Sequence, residues 1–147
     1  MIGIVVSGHI NFASGMASAV RAIAGDAENI AYVDFVESMS TDELENTLRL
    51  AAKSVDAGEG VLFLTDVPGG SPSNRASVIL MDEPAYEMLA GANLPMIANA
   101  IFERDGVNVP ELMDILLDIG HASLQDMRKE LNAAMQSQPE LECEDGL

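Results

Sequence analysis

Apolar positions along the chain come in short continuous runs separated by amphipathic stretches. Residues 2–7 form a brief, partly β-branched run that stops at Gly8, and residues 12–24 are small and helix-favouring until Gly25 supplies a C-terminal stop. Residues 29–35 repeat the strand pattern through Ile30, Tyr32, Val33 and Phe35. Thr41-Asp42-Glu43 then opens a segment with Leu44, Leu48, Ala51, Ala52 and Val55 at helical spacing. Residues 61–65 form a third strand, apolar throughout rather than alternating, as expected where helices cover both faces of a parallel sheet.

The third strand runs into Asp66-Val67-Pro68-Gly69-Gly70-Ser71-Pro72, where the two glycines permit a sharp turn. Ser71 as N-cap and Pro72 as first helical residue start a helix there that reaches about Met81. Residues 86–91 read as a fourth strand. Asn93 caps a further helix with Pro95 in its first turn and Met96, Ile97, Ala100 and Ile101 facing inward. From about Pro110 a last helix aligns Leu112, Leu116, Ile119 or Gly120, Leu124, Met127 and Leu131 in one stripe, which needs a surface to bury it.

Strands alternating with helices and joined by right-handed crossovers make an α/β fold: a doubly wound, mostly parallel open sheet with helices on both faces. The expected strand order is 2-1-3-4. Ligands in such sheets bind beyond the strand C-termini, where neighbouring crossovers leave to opposite faces. That point lies between strands one and three, so the loops after Ser7 and Thr65 face each other and bring His9 toward Asp66, Gly69, Gly70 and Ser71.

Length and charge narrow the function. The 147 residues fit one domain, expected over residues 1–134, followed by an acidic segment, 135–147, with the composition of a disordered tail. With 24 acidic against 7 basic side chains the formal charge is −17, so nucleic acid and anionic membrane are repelled and a protein with a basic face is favoured. The single cysteine, Cys143, closes no intrachain disulfide, and residues 1–7 lack a basic segment ahead of the apolar run. A cytoplasmic location is therefore expected. The nine methionines, spread over several helices, read as core filler.

Of the two histidines, His9 lies at the expected ligand-binding edge, whereas His121 reads as a surface or subunit contact. Asp66 is suited to fix the His9 tautomer and aim its other ring nitrogen. The Gly69, Gly70 and Ser71 amides, the Ser71 hydroxyl and the following helix start make a concavity suited to an anion. Each piece alone has an ordinary role: a solvated histidine, a capping aspartate, a turn that starts a helix. Together they suit a nucleophilic histidine that receives a phosphoryl group.

Other chemistries fit less well. No Gly-Lys-Ser or Gly-Lys-Thr follows a strand, and Ser73 stands where a nucleophile elbow around Ser71 requires glycine. Asp34 ends the second strand as a dinucleotide-site acid would, but no G-x-G-x-x-G follows the first. Neither a metal nor a cofactor is indicated by the spacing of histidine and cysteine.

The strings Ile4-Val5-Val6-Ser7-Gly8-His9, Phe12-Ala13-Ser14-Gly15, Gly60-Val61-Leu62-Phe63-Leu64-Thr65-Asp66 with Gly69-Gly70-Ser71-Pro72 and Asn74, and Ala90-Gly91 with Asn93-Leu94-Pro95-Met96 resemble one family, over residues 1 to about 130. It is the enzyme IIA component of the mannose-type (mannose, fructose, sorbose) sugar phosphotransferase system. The resemblance implies a phosphocarrier that accepts a phosphoryl group on His9 from the histidine-containing phosphocarrier protein and passes it to a IIB component. The sugar is phosphorylated as it enters through the membrane components IIC and IID. By position, the resemblance makes Asp66 the partner of the other ring nitrogen, with Ser71 and the Gly69 and Gly70 amides holding the phosphoryl oxygens. It also implies a homodimer formed through C-terminal elements. Ile10 departs from the family pattern, where glycine often follows the histidine, as does Ser73, where phenylalanine is common. Two alternatives remain open at this point: phosphoryl donation to a dihydroxyacetone kinase, and a regulatory module that binds an anion without turnover.

Overall fold

Ile4, Val5 and Val6 are all fully buried, because the strand they belong to is covered from both sides. That strand, Gly3–His9 (β1), is flanked by Ile30–Phe35 (β2) and Val61–Thr65 (β3), with Tyr86–Ala90 (β4) beyond β3. All neighbours pair in parallel and the order is β2-β1-β3-β4, as the alternation predicts. The structure, a computed structural model, describes residues 1–137; most of the expected acidic tail, with Cys143, lies outside the described residues.

Among the described residues, six helices join and follow the strands: Phe12–Ala24 (α1), Thr41–Val55 (α2), Ser71–Asp82 (α3), Leu94–Glu103 (α4), Val109–Ala122 (α5) and Met127–Ser137 (α6). One core layer unites Ile4, Val6, Leu62 and Leu64 with Val20, Ile97, Leu112 and Leu116, from α1, α4 and α5. The other unites Val5 and Phe63 with Leu44, Leu48, Ala76 and Ile79, from α2 and α3. Each fully buried aliphatic or aromatic side chain of this kind contributes about 1.5–3 kcal/mol. Because α1 lies on one face and α3 on the other, the chain leaves β1 and β3 in opposite directions. A crevice opens between their C-terminal ends.

Local chemistry sets the helix starts. Ser40 and Glu43 form a reciprocal capping box on α2, Asn108 and Glu111 do the same on α5, and Asn93 accepts the Met96 N–H to cap α4. At the opposite pole of the sheet, buried Arg104 donates to the carbonyls of Ile2, Glu28 and Asn29.

The last helix differs from its expected form. The stripe from Leu112 to Leu131 belongs to two helices, because the Ser123 N–H and hydroxyl turn back onto the Ile119 carbonyl and Asp126 accepts the Lys129 N–H to begin α6. Leu112 and Leu116 are core residues, but Leu124, Met127, Leu131 and Met135 are exposed and α6 buries none of its residues. The final helix continues to Ser137.

Candidate functional site

β1 runs two residues beyond its expected end, so His9 is the last residue of the strand and pairs with Phe35 rather than sitting on the loop. Ser7 is aligned with Thr65 on the adjacent strand, which sets Asp66 beside Gly8 and His9. One oxygen of Asp66, Oδ2, accepts the His9 backbone N–H and lies 2.8 Å from ring Nδ1. A carboxylate only accepts, so Nδ1 carries the hydrogen and Nε2 keeps its lone pair in the neutral ring. The aspartate side chain is nine-tenths buried, while 46% of the histidine side chain is open to solvent.

The contact depends on the absence of a side chain at Gly8: a β-carbon there would lie 2.8 Å from Asp66 Cγ and 2.5 Å from the Phe12 ring. Phe35 completes the setting, edge-on to the imidazole with centroids 6.0 Å apart. Asp66 Oδ1 is buried and has no hydrogen-bond partner among the described residues. No arginine or lysine pairs with this carboxylate there, and His9 is its hydrogen-bonding partner.

On the other rim, Val67-Pro68-Gly69-Gly70 forms a tight turn. Gly69 has φ +83°, and the Gly70 N–H donates to the Val67 carbonyl at 3.2 Å, the pattern of a type II turn with proline and glycine at its centre. The Gly70 amide donates within the turn. One expectation is corrected. The N-cap of α3 is Gly70, acting through its backbone alone, so Ser71 is the first helical residue and its side chain does not cap. Pro72 follows where no N–H is needed, and the Ser71 and Ser73 amides belong to the first turn, which has no intrahelical acceptor for them. The positive end of the α3 dipole lies here.

His9 meets this helix start directly. A β-carbon on Gly70 would lie 2.7 Å from His9 Cε1 and 3.4 Å from Nε2, so the ring rests against the bare Cα of the N-cap. The turn itself is braced from below. Buried Ser73 donates its one hydroxyl hydrogen to the Val67 carbonyl at 2.7 Å, which makes Thr65 the donor in the 2.7 Å pair between the two hydroxyls. Asn74 donates its side-chain amide to the Gly69 carbonyl. The bracing roles of Thr65 and Ser73 went unread in the sequence, since Ser73 is visible there only as a mismatch to other motifs.

The crevice thus brings together His9, Asp66, Gly70 and the first turn of α3. It does not include Asp34, whose Oδ1 accepts the Ser14 N–H at 2.9 Å and closes the N-terminus of α1, where Asn11 makes no side-chain cap. His121 lies at the end of α5, lining a pocket with Asn93, Met96 and Leu117. No helix among the described residues is long and apolar enough to cross a membrane.

The model of the EIIA-man family, described as the fructose IIA component of the phosphotransferase system, matches residues 3–117. The chain belongs to this family. It is 31% identical over 128 residues to the mannose-specific EIIAB component of the phosphotransferase system of Escherichia coli (strain K12), covering 86% of this chain and 40% of that protein. The chain therefore spans well under half the length of that relative. To the fructose-specific EIIA component of Bacillus subtilis (strain 168) it is 28% identical, over 85% of this chain and 86% of the relative. Among solved structures it resembles phosphotransferase system component EIIA from Streptococcus agalactiae, with a TM-score of 0.82 and 28% identity over 88% of this chain and 99% of that one. As a mannose-family IIA component, the chain shares the four-stranded parallel α/β architecture of this neighbour, and the family match ends within α5.

Proposed function

We propose that this IIA component is a phosphocarrier that holds a phosphoryl group on Nε2 of His9. The observation that carries the proposal is the position of the imidazole: Nδ1 bonded to the Asp66 carboxylate, and the opposite side of the ring against Gly70 at the start of α3. In the forward step the Nε2 lone pair attacks the phosphorus of a phosphohistidine on the donor protein. The new P–N bond forms as the old one breaks, and its electron pair returns to the donor's ring. His9 keeps its Nδ1 hydrogen and gains positive charge, which the singly partnered Asp66 carboxylate stabilises. The reverse exchange loads an acceptor.

The phosphoryl oxygens are received by the Gly69 and Ser71 amides and the Ser71 hydroxyl, aided by the α3 dipole. Gly70 serves by having no side chain. The donor is the histidine-containing phosphocarrier protein and the acceptor a cognate IIB component, with IIC and IID downstream, and the exchange takes place in the cytoplasm. The phosphocarrier unit is residues 1 to about 134. The exposed apolar residues of α6 support homodimerisation.

The test is direct. Incubation with labelled phosphoenolpyruvate, enzyme I and the phosphocarrier protein labels the wild type in an acid-labile form and leaves His9→Ala unlabelled. Equal labelling of both proteins removes His9 from the role.

A further inference from the structure

Ile10, the residue after His9, has φ +52°. This left-handed region is costly for a β-branched side chain. Among the described residues, the other non-glycine residue with positive φ is Asn29, of a type that tolerates the conformation. The backbone at Ile10 is held there by its N–H bond to the Phe35 carbonyl at 2.8 Å and by the bridge between these two residues. The isoleucine side chain offers little in return within the free protein, because Ile10 is 47% exposed. Glycine would take up the same backbone freely.

Exposed apolar groups surround it. Val36 follows the bridge partner Phe35, and Val67 follows Asp66 on the opposite rim. Both lie open to solvent, so three exposed aliphatic residues each stand next in sequence to His9 or to a residue that touches its ring, in a chain of formal charge −17. A rim of this kind suits a partner face with an apolar centre and a basic surround. Direct exchange between two imidazoles requires the donor's phosphohistidine to reach Nε2, and a protein surface that does so must cover the residue next to His9.

Resting on the phosphocarrier reading, we propose that Ile10 is a specificity-determining contact for the phosphoryl donor protein, and that the strain of its backbone is offset when its side chain is buried in that complex. The donor is the occupant favoured here because it meets His9 unphosphorylated, when the rim is apolar. The acceptor meets a phosphorylated ring whose charge dominates the same surface.

The experiment varies the concentration of phosphorylated donor protein against wild type and Ile10→Gly, with thermal unfolding measured in parallel. Ile10→Gly should unfold at a higher temperature, raise KM for the donor about five- to tenfold and leave kcat within about twofold. Ile10→Asn, which also tolerates the backbone, should repeat the KM increase. A KM unchanged in both variants overturns the proposal. So does a lower unfolding temperature in Ile10→Gly, which would make the side chain a fold anchor, and so does a fall in kcat at constant KM, which would make it a support for the His9 ring. A wild type that takes no label from the donor overturns the phosphocarrier reading itself, whereas a labelled wild type with unchanged variants overturns only the role of Ile10.

Discussion

The Oδ2 atom of Asp66 holds His9 at two points, the backbone N–H and ring Nδ1, each at 2.8 Å. Bonding through the main chain fixes where the aspartate sits relative to the end of β1, and bonding through the ring then fixes which way the imidazole turns. Positioning and polarisation come from one atom. The arrangement requires the carboxylate to pass close to Gly8, and any side chain at that position would push it away.

Asp66→Asn separates these two effects. An amide oxygen can still accept both N–H groups, so the ring stays aimed, but the negative charge that balances a phosphorylated imidazole is gone. The fold should persist, with stability within about 1 kcal/mol of wild type. Phosphoryl transfer should slow by on the order of 10²-fold, seen as a loss of kcat in single-turnover labelling. Transfer at the wild-type rate would show that Asp66 orients His9 without stabilising charge.

Gly70→Ala tests the approach from the other side. The backbone at this residue, φ −77° and ψ 169°, is ordinary for alanine, so folding should be little affected. The added methyl would sit 2.7 Å from His9 Cε1, closer than carbon atoms approach, and the half-exposed ring would have to swing outward. Since displacement by about 1 Å in a reacting group costs about 10²-fold, a loss of that order in transfer with a nearly unchanged unfolding temperature is expected. Unimpaired transfer would mean that the phosphoryl group does not meet the ring beside α3.

The fold and the meeting of His9 with Asp66 were legible because they follow from long-range rules with few solutions. Apolar runs such as Val61–Thr65 mark doubly covered strands, and a 2-1-3-4 order leaves one crevice between β1 and β3. What stayed hidden depends on single hydrogen bonds. The stripe from Leu112 to Leu131 keeps its helical period across the break at Ser123, so periodicity alone could not reveal two helices. Spacing does not say that the Gly70 N–H closes the turn onto Val67. Asp34 caps α1 from a neighbouring strand, and Arg104 binds carbonyls 75 to 102 residues away, so neither leaves a local signature.

Tyr86 gives the fold a dependence on alkaline pH. Its ring is buried and its hydroxyl donates to Asp56. Burial, and then the Asp56 carboxylate, push the phenol from 10.0 up to about 12. Between these values the native state retains a proton that the unfolded chain loses. The contribution is therefore complete below pH 10 and disappears as pH rises toward about 12. Urea unfolding should show wild type losing about 1 kcal/mol between neutral pH and about pH 11 relative to Tyr86→Phe. Parallel pH profiles for the two proteins would show that the phenol is not shifted in the folded state.

The exposed residues of α6 yield the last prediction. Leu124, just before the helix, and Met127, Leu131 and Met135 on it are each more than half exposed, and the helix packs no residue into the core of its own chain. An apolar face of this kind has no stabilising role in an isolated subunit, whereas pairing two copies through it would bury the same residues twice, as two-fold symmetry requires. Leu131→Glu places a charge in the middle of that face without touching the sheet or the His9 crevice. The wild type should run as a dimer by light scattering at micromolar concentration, and Leu131→Glu as a folded monomer whose His9 still accepts phosphate. A monomeric wild type would mean that α6 serves no self-association, and a dimeric Leu131→Glu would move the interface to another face of the molecule.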